Sequence, residues 1–284
     1  MKKVAVIQDL SSFGKCSLTA AIPVLSVMGV QACPLPTAIL SAQTGFSSFY
    51  CEDFTSKMDH FIEEWSKLNV AFDGIYTGFV TGEEQIQNIF HFLDEFYTKE
   101  TSLLVDPVMA DSGEVYKLFT DELLVRMKEL VKCADVITPN VTECCLLTGL
   151  SYEKLQSYAT EKDYIQAIEE AGNTLRQATD AQVIITGVNP PPAAASNERL
   201  IGNMYLGGGK TFYRMMPYNG KSFSGTGDLF ASVIMGGMMR GEDLEQSVQL
   251  AMVFLKAAIH DATLAQVPEV EGVNFEKYLR ILLS

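Results

Sequence analysis

The sequence predicts an α/β protein built on a central, mostly parallel sheet with helices on both faces. Three observations predict it. Short apolar, β-rich runs alternate with longer helical patterns along the chain. Small and polar residues gather where those runs end, as they do when ligands sit outside the carboxyl ends of strands. No linker or charge run divides the 284 residues, so a single domain spanning 1–284 is expected.

The elements follow in order. Val4 to Gln8 is a strand, and Ser17 to Met28 is helical up to the stop at Gly29. Gln31 to Ala38 is strand-like, but Pro34 and Pro36 make it an edge strand or a peripheral segment. Asp53 to Leu68 is an amphipathic helix whose apolar stripe, Phe54, Met58, Phe61, Ile62 and Trp65, reads as core. Gly74–Thr77 (strand), Glu83–Tyr97 (helix), Ser102–Val105 (strand) and Asp121–Val131 (helix) continue the alternation. Asp135–Thr138 (strand), Val141–Thr148 and Tyr164–Ala178 (helices) and Gln182–Thr186 (strand) extend it. The Pro- and Ala-rich stretch Asn189–Asn197 is expected to be a mobile loop. A β-hairpin, Ile201–Leu206 with Lys210–Met215, turns at Gly207-Gly208-Gly209. Helices Thr226–Met239, Leu244–Ala265 and Phe275–Leu282 close the chain.

Composition narrows the function. With 35 acidic and 21 basic residues the net charge is −14, which argues against a nucleic-acid partner. The apolar run after Met1-Lys2-Lys3 ends at Gln8-Asp9, too short for a signal peptide, and no other stretch has transmembrane length without charges. The six cysteines show neither Cys-x-x-Cys pairing nor zinc spacing, as expected of reduced thiols in a cytoplasmic protein. His60, His91 and His260 are scattered on helical segments and are read as surface or core filling.

The strongest local signal is Ser222-Phe223-Ser224-Gly225-Thr226-Gly227-Asp228-Leu229-Phe230. Small residues give way abruptly to an apolar helix. Backbone N–H groups at such a junction, with the helix dipole behind them, can cradle charge developing on a transferring phosphoryl group. Asp228 on the first turn could accept a proton from a substrate hydroxyl. The same residues also suit an ordinary glycine turn with an acid at a helix start, since short glycine motifs recur by chance.

Further polar residues follow the predicted strands: Asp106-Pro107 with Asp111 beyond, Thr138-Pro139-Asn140-Val141-Thr142-Glu143, and Thr186-Gly187. Asp106 and Glu143 carry oxygen ligands of the kind Mg²⁺ uses. Equally, Asn140 and Thr142 could cap a helix and Asp106 could open a turn. Near the N-terminus, Gln8-Asp9-Leu10-Ser11-Ser12-Phe13-Gly14 and Ser41-Ala42-Gln43-Thr44-Gly45-Phe46 are polar loops that turn chemistry alone can explain. Gly14-Lys15 lacks the spacing of a P-loop.

Taken as an ordered set, these pieces resemble the pyridoxal/pyridoxamine kinases of the ribokinase-like superfamily. The set is Val6-Ile7-Gln8, Ser41-x-x-Thr44-Gly45, Thr77-Gly78, Asp106-Pro107-Val108, Ile137-Thr138-Pro139-Asn140 with Glu143, Ile185-Thr186, and Gly225-Thr226-Gly227-Asp228-Leu229-Phe230. The resemblance runs from Val4 to about Leu264. It implies a three-layer α/β/α fold with a small β extension, a homodimer, and transfer of the ATP γ-phosphate to the 5′-hydroxymethyl group of pyridoxal, pyridoxamine or pyridoxine. It implies Asp228 as base and Gly225, Thr226 and Gly227 as anion hole. Asp106 and Glu143 would lie at Mg²⁺, and Asp111, Thr138, Asn140, Thr186 and Ser224 near the ATP phosphates. Thr44 would contact the vitamin ring, with Asp9, Ser11, Phe46, Phe49 and Phe79 around it. A monovalent cation is a further candidate.

Three positions depart from the family pattern. Asp9 replaces a common Ser, Gln43 a frequent His and Phe79 a frequent Tyr. A related branch, the hydroxymethylpyrimidine kinases, often has an acid at the Asp9 position but more often Cys where this chain has Asp228. A hydroxymethylpyrimidine or dual-specificity kinase is therefore the alternative enzyme. A pyridoxal phosphate or nucleotide binding protein is the non-enzyme alternative, and it would have no need of Asp228.

Overall fold

The computed structural model describes residues 1–191 and 199–283. In chain order the elements are β1 (Lys3–Ser11), α1 (Ser17–Val27), β2 (Gln31–Leu40), β3 (Cys51–Asp53), α2 (Thr55–Lys67), β4 (Gly74–Thr77), α3 (Glu83–Phe96) and β5 (Ser102–Val105). There follow β6 (Ala110–Asp111), β7 (Glu114–Val115), α4 (Asp121–Leu130), β8 (Val136–Ile137), α5 (Val141–Thr148), α6 (Tyr152–Gln156), α7 (Glu161–Thr179) and β9 (Gln182–Val188). The last are β10 (Leu200–Gly207), β11 (Lys210–Pro217), α8 (Thr226–Arg240) and α9 (Leu244–Leu264), then 3-10 turns at Glu269–Glu271 and Phe275–Leu283.

The chain forms two compact units, Met1–Asp106 with Ser222–Ser284, and Pro107–Lys221. In the first unit the strand order is β5-β4-β1-β2-β3. β1 pairs in parallel with β2 and β4, and β4 with β5, while short β3 runs antiparallel to the end of β2. Pro34 and Pro36 fall where β2 is paired to β1, before β3 joins at Ala38, so neither interrupts that ladder. Parallel strands need crossovers, and the long amphipathic stretches supply them. Val4–Asp9 of β1, Ile75–Thr77 and Leu103–Val105 are buried with almost no exposed surface, as sheet interiors are. Trp65, Phe72, Phe92 and Phe96 form an aromatic cluster with ring centroids 4.7–6.1 Å apart, which joins α2, α3 and the entry to β4.

In the second unit the order is β11-β10-β9-β8. β8 and β9 are parallel; β10 and β11 form the expected antiparallel hairpin, turning at Gly208-Gly209. α7 begins at an N-cap in which Thr160 accepts from Asp163 N–H, and buries Ile168 and Leu175. A second pair, β6 and β7, makes a small separate hairpin.

Most expected elements lie within a few residues of their predicted bounds. β3, β6, β7 and α6 were not expected: runs of two to five residues carry too little periodicity to stand out. Phe275–Leu283 is 3-10 rather than α-helical. Of the expected loop Asn189–Asn197, residues 192–197 lie outside the described residues; 189–191 have no regular structure. None of the six cysteines forms a disulfide. Among the described residues no helix is long and apolar enough to cross a membrane.

Candidate active site

Gly225 starts α8 in the left-handed region, at φ 80°. A Cβ on it would lie 1.9 Å from the carbonyl oxygen of Lys15, so the glycine is required both by its conformation and by the approach of the Lys15–Ser17 backbone. Gly227 differs: its φ is not positive, and a Cβ would meet nothing within 4 Å. No packing reason explains a glycine inside the first helical turn, where it weakens the helix. What the structure shows at Gly227 is open space in front of its backbone. The first intrahelical bond runs from Leu229 N–H to Gly225 O at 3.0 Å, which leaves the N–H groups of Thr226 and Gly227 outside the ladder. The Thr226 hydroxyl is committed to the loop itself and donates to Phe223 O at 3.0 Å.

Asp228 follows on the first turn. As a residue it is only half-buried, yet protein surrounds its carboxyl. Burial, then the charges of Asp106 and Asp9, push its pKa up to about 8, against the partial offset of a hydrogen bond from the Ser17 backbone N–H. Asp9 and Asp106 are themselves buried, with 3% and 6% of their surface exposed. Burial also raises Asp9, although hydroxyls of Ser17 and Ser11 donate to it, the latter at 2.7 Å. The first unit thus brings together Asp9 with Ser11, Asp106, and the glycine loop with Asp228, three sets of residues far apart in sequence.

The charges of two buried acids, Asp9 and Asp106, both bear on Asp228. Among the described residues no three His, Cys, Asp or Glu side chains converge as a metal cage.

The second unit holds the other predicted residues. Asn140 and Glu143 form a capping box on α5: Glu143 N–H donates to Asn140 Oδ1 at 3.0 Å, and Asn140 N–H to Glu143 Oε2 at 2.8 Å. Glu143 Oε1 accepts from Met109 N–H at 3.0 Å, so both of its oxygens are tied to backbone. The Asn140 amide donates to Ala110 O at 2.7 Å, and Thr142 accepts from Gly113 N–H at 2.9 Å. These bonds seat the β6–β7 hairpin on the start of α5. Asn140 and Thr186 bridge as parallel strand residues just past β8. Thr138 is buried, and the Asp111 carboxyl is raised by burial while accepting from Ser112 N–H at 2.8 Å.

Around the loop after β2, Phe46 packs on Phe13 with centroids 5.3 Å apart. Thr44, Phe49 and Phe79 are half-buried, and the Phe79 carbonyl accepts from Thr37 Oγ1 at 2.9 Å. Lys15, rejected as a P-loop lysine, bonds Asn274 and Glu276 at 3.0 Å each. Sequence reasoning missed Ser17 and Tyr76. Ser17 is non-glycine yet sits at φ 49°, and nothing in its neighbours signals that conformation. Tyr76 is fully buried, its phenol pushed up by burial and by Asp106 and Asp228. On β4 it reads simply as core.

Fold and loop together define a small-molecule kinase. The phosphomethylpyrimidine kinase family model matches residues 12–271, and the chain belongs to that family. It is similar to a Bacteroides thetaiotaomicron structure crystallised with pyridoxal and described provisionally as a phosphomethylpyrimidine kinase. The two are 36% identical over 99% of this chain and 95% of that one, with a TM-score of 0.87. Pyridoxal kinase from Lactobacillus plantarum is 29% identical over 100% and 97% of the two chains, with a TM-score of 0.85. The hydroxymethylpyrimidine/phosphomethylpyrimidine kinase of Haemophilus influenzae is 26% identical over 91% of each chain. The predicted fold class, a mainly parallel α/β sheet with helices on both faces, is the fold of these structures.

Proposed function

We propose that the protein transfers the γ-phosphate of ATP to the 5′-hydroxymethyl group of pyridoxal, pyridoxamine or pyridoxine. The observation that carries the reading is Asp228: a carboxyl raised by its surroundings, placed one residue after an open glycine at the start of a helix. A base must be near the substrate hydroxyl and must hold its proton while the oxygen attacks. The amide groups that begin α8 face charge gathering on the transferred phosphoryl group. Asp106 and Glu143 would hold Mg²⁺, directly or through water, and the ion when bound would neutralise phosphate charge. Asp111, Thr138, Asn140, Thr186 and Ser224 would attend the nucleotide phosphates, and Thr44, Phe46, Phe49 and Phe79 the ring. A cytoplasmic homodimer belongs to the same reading.

Support for a B6 vitamer comes from the pyridoxal-bound relative and the Lactobacillus plantarum kinase. One observation favours a second reading. Asp9 is a buried acid, and a carboxylate accepts hydrogen bonds readily from the amino group of a hydroxymethylpyrimidine. A panel of the three vitamers and hydroxymethylpyrimidine with Mg-ATP decides between them. Phosphorylation of hydroxymethylpyrimidine alone would replace the B6 assignment, and turnover of none of the four would reject both.

A further inference from the structure

Gln43 lies buried, 8% exposed, in the loop that follows β2. Its side chain is fully engaged. Oε1 accepts from Gly45 N–H at 2.7 Å, which folds the loop around Thr44. Nε2 donates to Val270 O at 2.8 Å and to Ser224 Oγ at 3.2 Å. Its backbone N–H donates to Phe13 O at 3.0 Å. One residue therefore joins the loop after β1, the loop after β2, the loop before α8 and the turn Glu269–Glu271.

The surroundings are shaped to it. A Cβ on Gly14 would come within 2.9 Å of Gln43 Cγ, and one on Gly45 within 2.8 Å of Nε2. The turn at 269–271 is itself a strut: Glu269 O accepts from Ser224 N–H at 3.0 Å and Glu271 O from Lys15 N–H at 3.2 Å. Through Val270 and Ser224, Gln43 thus reaches the backbone that sets Gly225.

We infer that Gln43 is a positioning residue that couples the loop carrying Thr44 and Phe46 to the glycine loop carrying Asp228. The inference rests on the kinase reading above. In that reading the first loop orients the ring and the second receives the phosphoryl group. The hydroxyl must meet both the base and the γ-phosphorus, and an error of about 1 Å between the two loops can cost on the order of 100-fold in rate. A carboxamide suits the post because it accepts on one side and donates on the other.

The test uses Gln43→Glu and Ser224→Ala in the full chain, with wild-type turnover of the substrate panel as the control for the kinase reading itself. Gln43→Glu keeps the acceptor for Gly45 N–H but turns an oxygen toward Val270 O. We expect kcat to fall about 10- to 100-fold, KM for ATP to stay within about twofold, and the variant to remain folded by circular dichroism. Ser224→Ala should lower kcat less, and in the Gln43→Glu background it should have almost no further effect, the non-additivity of a shared link. If folded Gln43→Glu keeps wild-type kcat, or if the two effects simply multiply, the coupling role is wrong. If Gln43→Glu does not fold and Ser224→Ala leaves kcat unchanged, the role is equally wrong, and Gln43 is only structural. A wild-type protein that phosphorylates none of the panel is a separate outcome, which rejects the kinase reading.

Discussion

Ser17, held at φ 49°, donates its backbone N–H to the carboxyl of Asp228 and its hydroxyl to Asp9. Left-handed geometry is unfavourable for a residue with a Cβ, by about 1–3 kcal/mol where such strain is localised. Here it lets one residue address two buried acids, so backbone strain and electrostatic strain meet at the same place.

That strain gives the ligand-free protein a pH dependence of defined sign. Folding moves the Asp228 pKa from 3.8 to about 8, so between those values the folded state keeps a proton that the unfolded chain releases. Stability contributed by this group therefore falls as pH rises through that window and is flat above it. Asp228→Asn should remove the slope and be more stable than wild type by on the order of 1–3 kcal/mol at pH 8, with little difference near pH 4. Urea melts at several pH values check this. The same variant should lose turnover by about two to four orders of magnitude while binding nucleotide nearly normally. Near-normal turnover would mean that Asp228 is not the base.

The two glycines of the loop should behave oppositely. Gly225→Ala forces a Cβ onto Lys15 O and a side chain into φ 80°, so it should cost about 2 kcal/mol or more in stability. Gly227→Ala meets open space and should raise helix stability by up to about 1 kcal/mol. If phosphate approaches there, its activity should nonetheless fall at least about tenfold. Paired thermal melts and kinetics separate the cases; full activity in Gly227→Ala would remove that residue from the anion hole.

Glu143→Ala should destabilise the protein by about 1–3 kcal/mol, because it strands the buried N–H of Met109 and the part-buried N–H of Asn140. Glu143→Gln, which retains an acceptor, should cost less. The metal role is read separately, from the Mg²⁺ concentration giving half-maximal rate in Glu143→Gln and Asp106→Asn. An unmoved Mg²⁺ titration in both would leave Glu143 as a helix cap and Asp106 as a turn residue.

Asp9 should make vitamin binding depend on pH. A buried carboxylate cannot face an unprotonated pyridine nitrogen, since both only accept. It can pair with a pyridinium, and charge-assisted bonds of that kind are stronger than neutral ones. Asp9→Ser should flatten the pH profile of the vitamin KM and reorder the substrate panel, leaving the ATP KM within about twofold. An unchanged profile and ranking would show that Asp9 does not read the ring.

The sequence by itself determined the order of the longer elements, because strand and helix periodicities are local. It also determined the glycine loop and its acid, since Gly225-Thr226-Gly227-Asp228 announces a loop-to-helix junction within four residues. Only the tertiary structure decided what those residues do to one another. The field of Asp9 and Asp106 on Asp228, the reach of Gln43 to Ser224 across 181 positions and the left-handed Ser17 depend on backbone brought together by sheet pairing. It also showed the capping box of Asn140 and Glu143, which residue types alone do not reveal because it depends on where the neighbouring N–H groups lie.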